Sequence, residues 1–394
     1  MPAPPFVRRL ALRNYRSIAA CDLTLGPVTF LVGPNGSGKS NTVDALRLIS
    51  DSLRTSLDFA LRERGGIQEV RRRSSGHPTH FGIRTEITLP DGRRGHLAFE
   101  VAARARGEFA VKEESCAIGD DSYVVREGVV KSTSVPSAMP PASKDRLYLV
   151  NAAGLPQFRP VFDALSHMGF YNPSPDRMRA LQLPDKGELL ARDGGNIASV
   201  VARLDRPENA VMKARVVAYL ARVVPGLCGF EAKRIGHMEA IEFRQDVEGS
   251  ADAWRFGAIN MSDGTLRALA VLVALFQTGQ DHRVHLVGLE EPETALHPAA
   301  AGLLRDCILE AGRHVQAIVT SHSADLLDDP RIDESMLRAV ENREGRTVIA
   351  SIDEAARSAV RDRLYTAGEL LRAGQLAPDR SDVPAQLDLF SERP

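Results

Sequence analysis

Residues 33–40 read GPNGSGKS, with glycine at 33, 36 and 38, lysine at 39 and serine at 40. That spacing suits a nucleoside triphosphate. Glycines let successive backbone N–H groups turn toward phosphate oxygens, Lys39 can reach the β and γ phosphates, and the Ser40 hydroxyl can ligate Mg²⁺. Pro34, Asn35, Ser37 and Asn41 complete the segment around Gly33, Gly36 and Gly38. An apolar run at 28–32 precedes it and a helix-like stretch at 40–50 follows, which puts the loop at a helix N-terminus, where anions are favoured. A glycine-rich turn without a ligand is the weaker reading, because ordinary Gly, Lys and Ser frequencies rarely give this pattern by accident and the strand before and helix after make it rarer still.

A second group of chemical residues lies more than two hundred positions downstream. The run VHLVGL (284–289) ends in Glu290, Glu291, Pro292 and Glu293. A strand delivering adjacent carboxylates at its end suits Mg²⁺-assisted hydrolysis, one acid on the ion side and the other orienting the attacking water. Side chains alternate along a strand, so Glu290 and Glu291 point to different sides. Further on, AIVT (317–320) leads into Ser321, His322 and Ser323, a histidine suited to donate a hydrogen bond to the γ-phosphate. Upstream, MSDGTLR (261–267) sets Ser262 and Gly264 at a helix start, a second anion site in a chain that already has one.

These residues need a scaffold that brings both halves together. The chain has 394 residues, 43% hydrophobic and 26% charged, with net charge −1. It is long enough for two lobes or one large α/β domain with insertions. There is no basic excess of the kind that marks nucleic-acid binding, and the local clusters Arg71 to Arg73 and Arg93-Arg94 read first as solvated loops. Four cysteines, Cys21, Cys116, Cys228 and Cys307, lack metal or disulfide spacing. No apolar stretch is long enough to span a bilayer or serve as a signal core, so the expectation is a soluble cytoplasmic protein without a membrane partner.

Strands are expected at 7–13, 22–25 and 28–32, and an antiparallel meander at 83–89, 96–101, 109–111 and 123–130. Residues 132–141 read as an exposed loop, 157–168, 196–204 and 208–223 as helices, and 230–235 and 239–245 as strands. After 262 the pattern is strictly α/β: helices at 264–277 and 298–311, strands at 285–289 and 315–320, a hairpin at 336–351, a helix at 365–373 and a frayed polar end from Pro378. The expected organisation is an N-terminal ATPase lobe at 1–131, a mostly helical lid at 132–257, a C-terminal ATPase lobe at 258–330 and an extension at 331–394.

GPNGSGKSN, MSDGTLR, LEEPETALHP and TSHS, in that order, resemble the ABC-type ATPases of the RecF, SMC and OLD group, most closely the stand-alone bacterial AAA-family ATPases related to RecF. The resemblance covers about residues 6–50 and 258–328. It implies an α/β fold, a P-loop NTPase of ABC-ATPase head type with an antiparallel β-subdomain and a mixed helical lid. LRNYRS (12–17) resembles the group's first strand, which places Arg13 and Asn14 against the nucleotide. The resemblance further implies that Ser262 and Gly264 form a signature contacting the γ-phosphate of a second subunit, giving a homodimer through ATP. Glu290 stands for the usual metal-side aspartate, Glu291 is the catalytic glutamate and His322 the switch histidine. Coiled-coil arms are missing, and the carboxylate set of the OLD-type nuclease is not found after His322.

The expected function is therefore an ATPase with ATP and Mg²⁺ that dimerises head-to-tail and acts as a switch or motor. DNA is a possible partner. The expected setting is anti-phage defence with a separately encoded effector such as a nuclease, or DNA repair. The alternatives are a DNA-binding clamp with incidental hydrolysis and, less fitting, a transporter's nucleotide-binding subunit. Neither Gln68 nor Gln245 stands out as a glutamine-loop residue.

Overall fold

The computed structural model describes residues 6–74, 78–135, 139–277, 284–384 and 387–391. The expectations for 1–5, 136–138 and the final residues of the tail lie outside the described residues.

Strands β1 (Val7–Tyr15) and β2 (Ile18–Thr24) form a hairpin, and β3 (Val28–Val32) runs into the glycine loop. An antiparallel arm follows: β4 (His80–Thr88), β5 (Arg94–Ala103), β6 (Phe109–Ile118), β7 (Asp121–Arg126) and β8 (Val129–Thr133). Later come β9 (Gly169–Tyr171), β10 (Leu227–Ile235), β11 (Met238–Gln245), β12 (Trp254–Gly257), β13 (Leu286–Glu290), β14 (Gln316–Ser321), β15 (Leu337–Arg343) and β16 (Arg346–Ser351). Among the described residues β10, β11 and β12 make a small separate sheet, and the other thirteen form one sheet in the order β8-β7-β6-β5-β4-β1-β2-β16-β15-β3-β14-β13-β9.

The strands at one end of this sheet are parallel: β9 with β13, β13 with β14, β14 with β3, and β3 with β15. Parallel strands need both faces covered, and all five residues of β3 are buried. Its alternation serves two cores. Val28, Phe30 and Val32 pack with Leu266, Leu269 and Val273 of the helix Asp263–Phe276, while Leu31 joins Leu286, Ile318 and Val340 and, from the helix Lys39–Arg54, Val43, Leu46 and Ile49. Because these strands run the same way, the segments leaving β3, β13, β14 and β9 emerge at one edge, the usual ligand-binding edge of such sheets.

The structure departs from the sequence reading in several places. The span 123–130 is two strands, turned at Glu127 and Gly128, whose φ of 47° and 71° reverse the chain. The strand 109–111 continues to Ile118, since β5 pairs with it from Phe109 to Ile118 and β7 from Glu113 to Ile118. The 336–351 hairpin forms, but as β15 and β16 inserted between β3 and β2 in the middle of the large sheet. The tail is not frayed throughout: Leu387 and Leu389 are buried against Ala11, and the Leu389 carbonyl accepts Arg84 Nη1 at 3.0 Å. Apolar leucines in a polar stretch gave the tail somewhere to dock. Strand β9, three residues long and too short to read by periodicity, closes the sheet's edge from within the segment expected to be a lid. Among the described residues no helix is long and apolar enough to cross a membrane.

Candidate functional site

The glycine loop follows β3 without a break, and the helix Lys39–Arg54 starts inside it, with Gly38 in a left-handed conformation at φ 104°. Gly38 has to be glycine for a second reason: a Cβ there would run into the Thr347 hydroxyl. Thr347 Oγ1 donates to the Ser37 carbonyl at 2.9 Å and pairs with Ser17 Oγ at 2.6 Å, and Ser17 Oγ accepts Asn41 Nδ2 at 2.7 Å. The β1–β2 turn, the loop and β16 are thereby tied into one unit. Pro34, Asn35, Gly36 and Ser40 are exposed, whereas Gly33, Ser37 and Lys39 are buried. Lys39 Nζ donates to the carbonyls of Gly33 at 2.8 Å and Pro34 at 3.0 Å. Burial holds Lys39 below the ordinary lysine value, against the pull of Glu291.

Across from the loop, Glu291 follows β13 at φ 43°, a left-handed conformation that a non-glycine residue adopts at a cost of roughly 1–3 kcal/mol. Its amide is held by the carbonyl of Thr320 at 3.0 Å and the hydroxyl at 3.1 Å. Its carboxylate lies 3.7 Å from Lys39 Nζ and 3.5 Å from His322 Nδ1. The structure thus brings Lys39, Glu291 and His322 together from three neighbouring strands. Glu290, the last residue of β13, accepts a hydrogen bond from Arg192 at 2.6 Å. Glu293 is buried, its Oε1 accepting the Ser321 hydroxyl at 2.6 Å and the His322 amide at 3.3 Å, while its Oε2 has no partner. The donor set fits a Mg²⁺-nucleotide: an open glycine at 36 with nothing near its missing side chain, a helix start at Lys39 whose first turn lacks partners one turn back, and hard oxygens from Ser40, Glu290 and Glu291.

Ser262 caps the helix Asp263–Phe276, its Oγ accepting the Thr265 amide at 3.2 Å, and Ser262 and Asp263 are exposed. At Gly264 a Cβ would stand 2.8 Å from the Ala295 carbonyl, so the loop after β13 fixes that glycine. Arg179 holds this helix start, donating to the Met261 carbonyl at 2.9 Å and pairing with Asp263.

The model of the family described as "AAA domain, putative AbiEii toxin, Type IV TA system" matches residues 28–106 and 146–329. The chain belongs to this AAA-domain family. It is also similar to an OLD nuclease of Thermus scotoductus, 25% identical over 98% of this chain and 74% of that protein. A DNA replication and repair protein RecF of Vibrio vulnificus is 48% identical, over 10% of this chain and 12% of that protein. Among solved structures, a Pyrococcus furiosus Smc head domain bound to the C-terminal domain of ScpA superposes with TM-score 0.55 at 11% identity, covering 91% of this chain and 99% of that one. An SmcHead bound to the C-winged helix domain of ScpA superposes with TM-score 0.54 at 14% identity, covering 90% and 100%. The fold is that of an ABC-type head, and the chain is a RecF/SMC/OLD-like ABC-type ATPase.

In this AAA-domain chain Arg13 and Asn14 have partners of their own: the Arg13 guanidinium pairs with Glu100 and reaches the Leu387 carbonyl, and the Asn14 carbonyl accepts the Arg72 amide at 2.8 Å in a turn with φ 55°. The physical reason is the neighbouring strand β4, on whose side Arg13 finds a buried carboxylate. Within the same turn Ser17 takes the place beside the loop, and Arg16 bonds Asp44 of the loop's helix at 2.8 Å. Arg71 is occupied by Gln68 and the Pro78 carbonyl, and Arg73 by Glu69. Sequence reasoning missed Ser17, Glu293, Thr347 and Arg192. Glu293 stood in the acidic run and could have been weighed; the others carry no local signal.

Proposed function

We propose that the chain binds and hydrolyses ATP at this edge of the sheet, and that two copies close head-to-tail over ATP as a switch or motor. Lys39 leaves its two loop carbonyls for the β and γ oxygens. Glu291 accepts a proton from the attacking water, and His322 donates to the γ-phosphate. Ser40 and Glu290 would hold Mg²⁺, which when bound neutralises charge on the β and γ oxygens. The observation that carries the reading is the Glu291 carboxylate standing within 4 Å of both Lys39 and His322. Ser262 and Gly264 serve the γ-phosphate of the other copy. Supporting this, Ser262 is exposed, and its hydrogen bonds among the described residues stay within its own helix start.

Closure shifts a population by about 5.5 kcal/mol when it turns a 1:99 equilibrium into 99:1, which two shared phosphate sites supply. The output is DNA-related, in keeping with relatives named for nuclease, replication and repair. The preferred setting is anti-phage defence in the cytoplasm with a separately encoded effector, or else DNA repair.

Sedimentation and turnover test this together. Lys39→Ala is expected to lose ATP binding. Glu291→Gln keeps it, slows hydrolysis by about 10²–10⁴-fold and accumulates as an ATP-bound dimer, while Glu291→Gln/Ser262→Arg stays monomeric. Equal masses for these two proteins, with Ser262→Arg alone hydrolysing at the unmutated rate, would overturn the shared site.

A further inference from the structure

Arg192 is the residue whose position the ATPase reading leaves unexplained. It sits in the turn Ala191-Arg-Asp-Gly-Gly-Asn196, far in sequence from every motif. That turn is firmly built. The Ala191 amide bonds Asn196 Oδ1 at 2.7 Å, the Gly194 amide bonds the Ala191 carbonyl at 2.9 Å, and the Gly195 amide bonds Asp193 Oδ1 at 2.9 Å. Two further bonds lash it to the segment leaving β9: Asn172 N–H to the Arg192 carbonyl and Ser174 N–H to the Asp193 carbonyl, both at 2.9 Å. The backbone of Arg192 is therefore fixed, while its side chain is 46% exposed and lines a cavity of about 920 Å³ beside β9 and the helix Lys39–Arg54.

From this anchor the guanidinium reaches Glu290 Oε1 at 2.6 Å. Glu290 is only 14% exposed, so its charge needs a partner nearby. A guanidinium and a divalent cation at the same carboxylate repel one another, and Arg47 on the adjoining helix already adds positive charge, its own ionisation disfavoured first by burial and also by Arg192. The cavity gives the long side chain room to swing away.

We propose that Arg192 is a positioning residue that holds the Glu290 carboxylate in place and yields it to Mg²⁺, so that arginine and metal compete for one acid. This rests on the reading of Glu290 as a Mg²⁺-side carboxylate. Arg192 thereby tunes how strongly nucleotide affinity depends on Mg²⁺. Because its backbone is bonded to the strand leaving β9, the exchange also reports metal occupancy to the segment that carries Arg179 and, through it, the helix start at Met261 and Asp263.

The experiment measures binding of a fluorescent ATP analogue in EDTA and across a Mg²⁺ titration, on the full chain, without reference to turnover. Competition predicts that Arg192→Ala weakens binding in EDTA, because Glu290 is left uncompensated beside the phosphates, and lowers the Mg²⁺ needed for half-maximal binding. The ratio of the two affinities rises by about 3–10-fold, the effect of one partly exposed ion pair. Arg192→Lys, which keeps the charge, stays near the unmutated ratio. An unchanged ratio in Arg192→Ala, or a lower one as expected if arginine merely orients the acid for the metal, overturns the inference. Glu290→Gln separates this from the underlying reading. If Glu290→Gln lowers the Mg²⁺ dependence and Arg192→Ala adds nothing on top of it, both stand. If Glu290→Gln leaves Mg²⁺ dependence unchanged, the assignment of Glu290 itself is wrong.

Discussion

The antiparallel arm and the parallel edge treat their carboxylates in opposite ways. In the arm, buried Glu114 accepts three hydrogen bonds: the Tyr123 hydroxyl at 2.7 Å, the Leu149 amide at 2.8 Å and the Tyr148 amide at 2.5 Å. Where the arm meets the β1–β2 hairpin, Asp22 of β2 and Glu86 of β4 share Arg9 of β1, with contacts of 2.6–2.7 Å. At the edge, His322 Nδ1 and Lys39 Nζ stand 3.5 and 3.7 Å from the Glu291 carboxylate, and buried Glu293 Oε2 has no partner. The contrast belongs to carboxylates rather than hydroxyls, since Thr85 and Thr88 are unpartnered in the arm as well. A buried polar group left unpaired costs about 1–3 kcal/mol. Glu291 and Glu293 keep bonding capacity that a group from outside would complete, whereas Glu290 at the same edge is held by Arg192 at 2.6 Å.

The sharpest way to break this comparison is to remove one acid from each region. Glu114→Ala strands three donors and is expected to destabilise the fold by about 3 kcal/mol, read as a lower denaturant midpoint, with ATP binding kept. Glu291→Ala should change stability by no more than about 0.5 kcal/mol. Equal losses would erase the distinction.

A pH series sharpens the arm's side of it. Burial pushes Glu114 from 4.5 up to about 7, although its three hydrogen bonds pull the other way. The folded state thus keeps a proton that the unfolded chain has lost. This stabilisation is complete below pH 4.5 and falls away as pH rises through about 7, at a slope approaching ~1.4 kcal/mol per pH unit. Glu114→Gln cannot titrate, so its stability should vary less over that window, as thermal melts at stepped pH will register.

The smallest expected effect lies where the two regions are joined. Thr347→Ala removes the bonds to Ser37 and Ser17 that steady the glycine loop. ATP affinity is expected to fall by about 1 kcal/mol, or ~5-fold, measured by titration with a labelled analogue. No change in affinity would mean that the loop holds its shape without β16.

What could be read from the sequence was local. The glycine loop, the acids after β13 and the histidine after β14 each announce themselves within a few residues, because strand, turn and chemical group follow one another along the chain. The strands of the arm were legible by alternation, except where Glu127 and Gly128 turn the chain inside an apolar run. What escaped was pairing at a distance. Arg192 meets Glu290 across 98 positions, and Thr347 meets Ser37 across 310. Neither arginine nor threonine is an unusual residue in a turn, so nothing local sets them apart. Arg13 is a further case: its pairing with Glu100, a buried glutamate on a neighbouring strand's partner, has no local signal either.

The insertion of β15 and β16 between β3 and β2 sets a timetable for the chain's synthesis. A ribosome that has reached residue 336 has already made the glycine loop, both glutamates and the histidine, yet the middle of the sheet is still open. Val340, which packs beside Gly33, and Thr347, which packs beside Gly38, have not been made. Domains generally fold as units as they leave the ribosome, and here the unit is complete only after residue 351. Stalled chains ending at 330 should therefore fail to retain labelled ATP, while chains ending after the tail has docked retain it. Nucleotide binding would then certify that synthesis has passed the last central strand, and a half-made copy would be kept out of the ATP-dependent pair proposed above.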